Sequence, residues 1–160
     1  MPEYIDSYYL VNSRESKVVY NFFAKYSFVK KKLADDYPIP QYSDSPERIF
    51  YSDADLLLYL ENNFDCEYLI YWENIEENSE IRFFILQYTN DGKMILGVSI
   101  VGKKLDSKES VQLFIDIKNY LNSQKACITI EEPPPTNSIE FIDFCNVRYI
   151  PNNSASMQCG

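Results

Sequence analysis

The sequence predicts an α+β protein, a mainly antiparallel sheet of about five strands with helices packed on one face. Three observations carry this. Between Tyr68 and Val101 β-favouring residues fall in three short runs grouped together, where alternating βα units would separate them. Asn90-Asp91-Gly92 between the last two runs is a tight-turn signal that joins them as a hairpin. On either side of the group, apolar residues recur at spacings of three and four, the pattern of helices that bury one stripe.

Taken in order, Tyr4 to Val11 reads as a first strand, rich in β-favouring side chains. Val19, Phe22, Tyr26, Val29 and Leu33 then define the clearest helical stripe, widened by Val18 and Phe23. Ser13 or Ser16 is its expected N-cap, and Lys30, Lys31 and Lys32 fall near its C-terminal end, where positive charge complements the helix dipole. Asp36 to Ser45, with two prolines and several small polar residues, is expected as an exposed loop. The apolar run Ile49-Phe50-Tyr51 suits a short strand or the entry to the next helix. Ser52 with Asp55 resembles a capping box, and the helix it opens runs through Leu56, Leu57, Tyr59 and Leu60 to Asn62-Asn63.

Three strands follow: Tyr68–Trp72, Ile81–Thr89 and Met94–Val101, with a glutamate-rich loop, Glu73–Glu80, linking the first two. Asp106 with Glu109 makes another capping pair, opening a helix with Val111, Phe114, Ile115, Ile117 and Leu121 on a broad apolar face. Ala126–Ile130 reads as a strand. Pro133-Pro134-Pro135 is a stiff turn that cannot continue a sheet. Asn137 or Ser138 can cap a short helix holding Ile139, Phe141, Ile142, Phe144 and Cys145, and Val147–Ile150 suits a last strand. The 160 residues, 46% hydrophobic and 16% aromatic, fit one domain over 1–150 with a real core; 151–160, small and polar, is expected as a flexible tail.

The chain contains no histidine, which excludes Ser-His-Asp and Cys-His catalysis and any histidine zinc site. Cys66, Cys127, Cys145 and Cys159 are too widely spaced for a four-cysteine site and read as reduced thiols, the first three expected buried. No P-loop or G-x-G-x-x-G is present, and four glycines offer little for a phosphate cradle. Asp53-Ala54-Asp55 matches the D-x-D pattern of some metal-dependent transferases, but the acidic first turn of a helix explains it as well. No cofactor is expected. Met1-Pro2-Glu3-Tyr4 lacks the basic start of a secretory signal, and no apolar run reaches membrane-spanning length, so a cytoplasmic protein without a membrane partner is expected.

Charge is the most informative feature. Of 24 acidic residues, twelve lie between Asp36 and Glu80, where Arg48 is the only base; that segment carries −11 of a net −9, and the rest of the chain is slightly positive. Such a field disfavours nucleic acid, which needs lysine and arginine in excess on one face, and selects a basic protein partner. The acidic loops with nearby aromatics are the expected contact: Asp36, Tyr37, Tyr42, Asp44 and Glu47 in one, and Tyr71, Trp72, Glu73, Glu76, Glu77 and Glu80 in the other. Small acidic α+β chains of this kind, lacking a catalytic motif, resemble bacterial immunity proteins of contact-dependent, polymorphic toxin systems. The resemblance lies in the character of the whole chain, and no functional residue is carried over from it. It implies a non-enzymatic inhibitor that binds a cognate toxin domain, often a basic nuclease, and covers its working surface. The alternatives are an oligomeric scaffold, whose acidic surface serves solubility, and a small enzyme built on paired carboxylates.

Overall fold

The computed structural model describes residues 3–27 and 30–151. The elements run β1 (Tyr4–Val11), α1 (Ser16–Tyr26), β2 (Lys30–Lys32), β3 (Tyr37–Ile39), β4 (Arg48–Phe50), α2 (Asp53–Asn62), β5 (Tyr68–Asn74), β6 (Ile81–Tyr88), β7 (Met94–Val101), α3 (Lys108–Leu121), β8 (Ala126–Ile130) and α4 (Ser138–Asn146). The fold is α+β. Six strands form one sheet in the order β2-β5-β6-β7-β1-β8, with every neighbouring pair antiparallel, and β3 pairs with β4 in a separate hairpin. The sheet has one strand more than expected because the lysine triplet forms its edge.

The first strand of the sequence lies inside the sheet, between β7 and β8, and is buried along nearly its whole length. Burial on both faces of β1 follows from helices on both sides. On one face α1 contributes Val19, Phe22 and Phe23, α2 contributes Leu56, Leu57 and Leu60, and α3 contributes Leu113, Phe114 and Ile117. These cover Tyr9, Trp72, Phe84, Leu86 and Leu96 of the sheet in one continuous core. On the other face, among the described residues, α4 covers Leu10, Ile95 and Cys127 with Phe141 and Cys145. Helices on one face therefore describes α1 to α3, and α4 is an addition.

Several boundaries differ from the sequence reading, each for a tertiary reason. Helix α1 ends at Tyr26, and Ser27 turns to extended backbone. Lys30, Lys31 and Lys32 then pair with Asn74, Glu73 and Trp72 of β5 instead of closing the helix. Lys30 and Lys32 lay their ammonium groups over the rings of Phe23 and Tyr37, at 4.3 and 5.8 Å, so a lysine-rich strand seals the core and discourages further pairing at this edge. Leu33, at the end of the expected helical stripe, is 51% exposed, while Val29 lies outside the described residues. Neither Ser13 nor Ser16 caps α1 with its side chain; a carboxylate oxygen of Glu61, on α2, accepts the Ser16 N–H instead. Within the expected loop 36–45, Tyr37–Ile39 pairs with Arg48–Phe50. Ser107, one residue after Asp106, caps α3 by accepting from the Ser110 N–H. Ser52 caps α2 and Asn137 caps α4 as read. The expected strand 147–150 reduces to one bridge, Ile128 to Tyr149. Cys127 and Cys145 are buried and Cys66 is half-buried; Cys159 lies outside the described residues, as does the expected tail beyond Pro151, which is itself buried.

Candidate partner-binding face

The α4-covered face of the sheet is only half closed. Because successive side chains alternate, the register defines cross-strand rows on this face. One row runs Thr129, Asp6, Ser99, Phe83, Glu73 and Lys31 across all six strands. The next runs Cys127, Tyr8, Gly97, Ile85 and Tyr71, and a third Leu10, Ile95, Gln87 and Leu69. Gly97 is required where it stands: a Cβ there would lie 2.6 Å from Cδ1 of the Tyr8 ring, which lies against its backbone. Helix α4 covers Leu10 and Ile95 of the third row and Tyr8 and Cys127 of the second, and the remainder opens into a groove.

Two segments wall the groove. On one side, Glu131 adopts a left-handed conformation (φ 48°) that turns the chain out of β8 into Glu132 and the prolines. Arg148 holds this turn, donating from Nη2 to Glu132 at 2.6 Å and from Nε at 3.2 Å, with its guanidinium 3.6 Å above the Phe144 ring. The hydrogen bonds from Arg148 and then Thr129 keep the Glu132 carboxyl below the usual range. Tyr8 adds a bond from its hydroxyl to the Glu132 carbonyl at 2.6 Å. On the other side, the segment from Leu33 to Ser43 is fixed by Gln41, whose amide donates to Leu69 O at 2.7 Å and accepts from Leu69 N at 2.8 Å. That side chain occupies the part of the β5 edge that three-residue β2 leaves free. Between the walls lie a hollow of about 630 Å³ beside Tyr42, Gln87 and Pro134 and one of about 400 Å³ around Asp6, joined at Pro133. A third, of about 260 Å³, continues past Tyr71 toward Asp36.

Asp6 is the one acid on the buried part of this floor, 6% exposed. Ser99 Oγ donates to its Oδ1. Burial raises its pKa above 3.8; Glu131 pushes the same way, while the Ser99 and Tyr8 hydroxyls oppose it. With the folded value above the unfolded one, the folded state holds its proton more tightly, so stability falls as pH rises from 3.8 through the folded value. Asp6→Asn should therefore raise the melting temperature at pH 7 and change it little near pH 3. Equal melting temperatures for the two proteins at pH 7 would show that Asp6 carries no such cost.

The structure separates the residues expected to meet a partner. Tyr37 and Trp72 are buried, 3% and 1% exposed, because their rings complete the core and their polar atoms both serve Asp53: Tyr37 Oη donates at 2.5 Å and Trp72 Nε1 at 2.9 Å. They are core residues in this conformation and leave the contact set. Tyr42, at 84%, and Tyr71, at 39%, are exposed on the groove. Asp36, Asp44 and Glu47 are exposed, as are Glu76, Glu77 and Glu80, while Glu73 is half-buried opposite Lys31. Burial first, then Glu109 and Asp116, raises the Glu80 carboxyl above its ordinary range. The two loops are not side by side. Gln41 anchors the first at Leu69, near the start of β5, and the second follows the end of β5 at Asn74, so roughly 17 Å of strand separates them. The groove floor runs between them.

Asp53 and Asp55 lie in the first turn of α2, and both oxygens of Asp53 already accept protein hydrogen bonds. Among the described residues no three acidic or cysteine side chains cluster as a metal ion would need, and no helix is long and apolar enough to cross a membrane. The described ion pairs are Lys17–Glu15 and Arg148–Glu132; neither uses an acid of Asp36–Glu80. Sequence reasoning missed Asp6, Arg14 and Arg148. Arg148 reaches Glu132 across sixteen residues and a helix, a pairing with no periodic signature. For Asp6 the signal was present: an acid inside a strand that is otherwise β-favouring.

No family model matches the chain, and no curated protein matches it. Among solved structures, it aligns with a chain of the crystal structure of the toxic C-terminal tip of CdiA from Pseudomonas aeruginosa in complex with immune protein. The identity is 14%, the coverage 82% of this chain and 88% of that chain, and the TM-score 0.45. A superposition this loose assigns neither fold nor function; the antiparallel α+β sheet with one half-open face is defined by the chain's own geometry.

Proposed function

We propose that this chain is a non-enzymatic immunity protein that binds a basic toxin domain and blocks it stoichiometrically. The observation that carries the reading is the unneutralised charge of Asp36–Glu80. Its acids form no ion pair among the described residues, and those of its two loops project at either end of the open sheet face. An unpaired field of this kind steers a basic surface and accelerates encounter, while the exposed rings of Tyr42 and Tyr71, on the groove between the loops, slow dissociation. A bound partner spanning the groove would have its phosphate-binding or substrate-binding surface covered by the same carboxylates that attract it, which suits a nuclease in particular.

The test is direct binding to a basic toxin domain, sought first in the gene beside this one, followed in rising salt. Association should slow steeply with ionic strength. Glu76→Lys with Glu77→Lys, both exposed, should lower the association rate roughly tenfold at low salt and leave the melting temperature unchanged. An unchanged rate would remove the Glu73–Glu80 loop from the encounter surface, and absence of any complex would overturn the reading.

A further inference from the structure

Between the two acidic loops, the hollow around Asp6 has a chemistry of its own. Its floor is the Asp6–Ser99 pair, and its sides are the rings of Tyr71, Phe83 and Tyr4 with the exposed Leu33. Tyr4 and Phe83 meet edge to face at 5.4 Å, which holds the Phe83 ring upright in its row. Around Asp6 the neighbouring elements offer Thr129 from β8, Ser99 from β7, Tyr8 from β1 and, beyond β8, Glu131 and Glu132; Arg148, which reaches Glu132, is committed to that ion pair. Lys31 shares the cross-strand row but stands four strands away, roughly 19 Å. Asp6 is therefore a buried carboxylate with acid and hydroxyl neighbours, aromatic walls and a cavity of about 400 Å³ in front of it. An anion would be repelled by Asp6 and Glu131. A neutral apolar side chain would strip water from Asp6 and return nothing. A cation on an apolar stem satisfies every surface at once: charge to Asp6, ring faces to the cation, and methylenes to Leu33 and Phe83.

We infer that this hollow receives one lysine or arginine side chain of the basic partner, its charged head on Asp6 and its stem along Tyr71, Phe83 and Leu33. The inference rests on the basic-partner reading and adds the position where that partner is anchored. Long-range charge at the loops governs encounter, whereas this contact governs residence, because a desolvated pair at the centre of an interface acts on dissociation.

The isolated site can be tested without the partner. Labelled protein is titrated with n-butylguanidinium and, as the uncharged control, n-butylurea, following backbone amide shifts. Saturable millimolar shifts at Asp6, Tyr71, Phe83 and Ser99 are expected with the cation alone. Asp6→Asn should weaken them at least tenfold with the rest of the spectrum unchanged. Tyr71→Ala, at a half-exposed position, should weaken them roughly threefold and serves if the first variant misfolds. An equal response to n-butylurea, shifts confined to 36–47 and 73–80, or saturation unaltered in both variants each overturn the inference. The two levels separate cleanly: a toxin domain that binds while the hollow ignores the cation sinks the anchor alone, and a hollow that takes the cation in a protein with no toxin partner sinks the immunity reading alone.

Discussion

Replacing Arg14 by alanine is expected to cost roughly 3–5 kcal/mol, a large share of a domain's usual stability. Arg14 follows β1, is 5% exposed, and forms no ion pair among the described residues. Its guanidinium instead gathers backbone carbonyls. Nη1 donates to Leu60 O at 3.0 Å, Asn63 O at 2.7 Å and Cys66 O at 3.3 Å; Nη2 donates to Thr89 O and, at 3.5 Å, to Lys93 O. One side chain thereby satisfies the C-terminal carbonyls of α2, where a cation also complements the dipole, and clasps them to the β6–β7 turn. The ring of Tyr88, 5.2 Å from the guanidinium carbon, supplies the remaining electrostatic support. Burial alone lowers the Arg14 pKa; Tyr88 and the nearby acids hold it up. Alanine would take from the Thr89 and Cys66 carbonyls the donor they have here and break the clasp, while Leu60, Asn63 and Lys93 O keep backbone N–H donors from Asn63, Cys66 and Thr89. Arg14→Lys keeps the charge but loses the planar fork, and should recover less than half of the loss. Denaturant titration measures both, and an unshifted midpoint for Arg14→Ala would refute the role.

Asp53→Ala should cost roughly 2–4 kcal/mol, because it orphans two buried donors at once, the Tyr37 hydroxyl and the Trp72 indole. Burial and then Asp53 itself raise the Tyr37 pKa well above the ordinary phenol value. Asp53→Asn keeps one acceptor oxygen and should lose about half as much. Asp55→Ala, on the same first turn but exposed, serves as the control and should cost about 0.5 kcal/mol. Trp72 is the single tryptophan, so its fluorescence reports the site directly. Equal losses for Asp53→Ala and Asp55→Ala would mean that the two hydrogen bonds contribute nothing and that only the helix dipole matters.

These two residues show where sequence reading stopped. The helix α2, its Ser52 cap and its acidic first turn were legible because each signal is local: a hydroxyl three residues before a backbone N–H, and carboxylates near a helix start. That one carboxylate would also receive a tyrosine from β3 and the tryptophan from β5 was not legible, since nothing in residue spacing says which rings meet. The same limit applied to the candidate site. Tyr37 and Trp72 have the composition of interface anchors, and only packing against α1 and α2 makes them core. Asp6 is legible only as an acid inside a β-favouring strand, and that pattern alone does not distinguish a buried carboxylate from one that faces water.

What the sequence determined by itself was the α+β class, the positions of most strands and helices, the hairpin at Asn90-Asp91-Gly92 and the concentration of acid between Asp36 and Glu80. Periodicity and turn chemistry are short-range, and they sufficed. Tertiary structure decided that Lys30–Lys32 became an edge strand, that β1 lay inside the sheet, that α4 took the face opposite the other three helices, and that the acidic loops stood at opposite ends of β5. Those outcomes depend on which apolar faces find one another, a matter of long-range burial outweighing local propensity. The half-open face, with Asp6 on its floor, is the product of that competition: one short helix is too small to cover a six-stranded sheet.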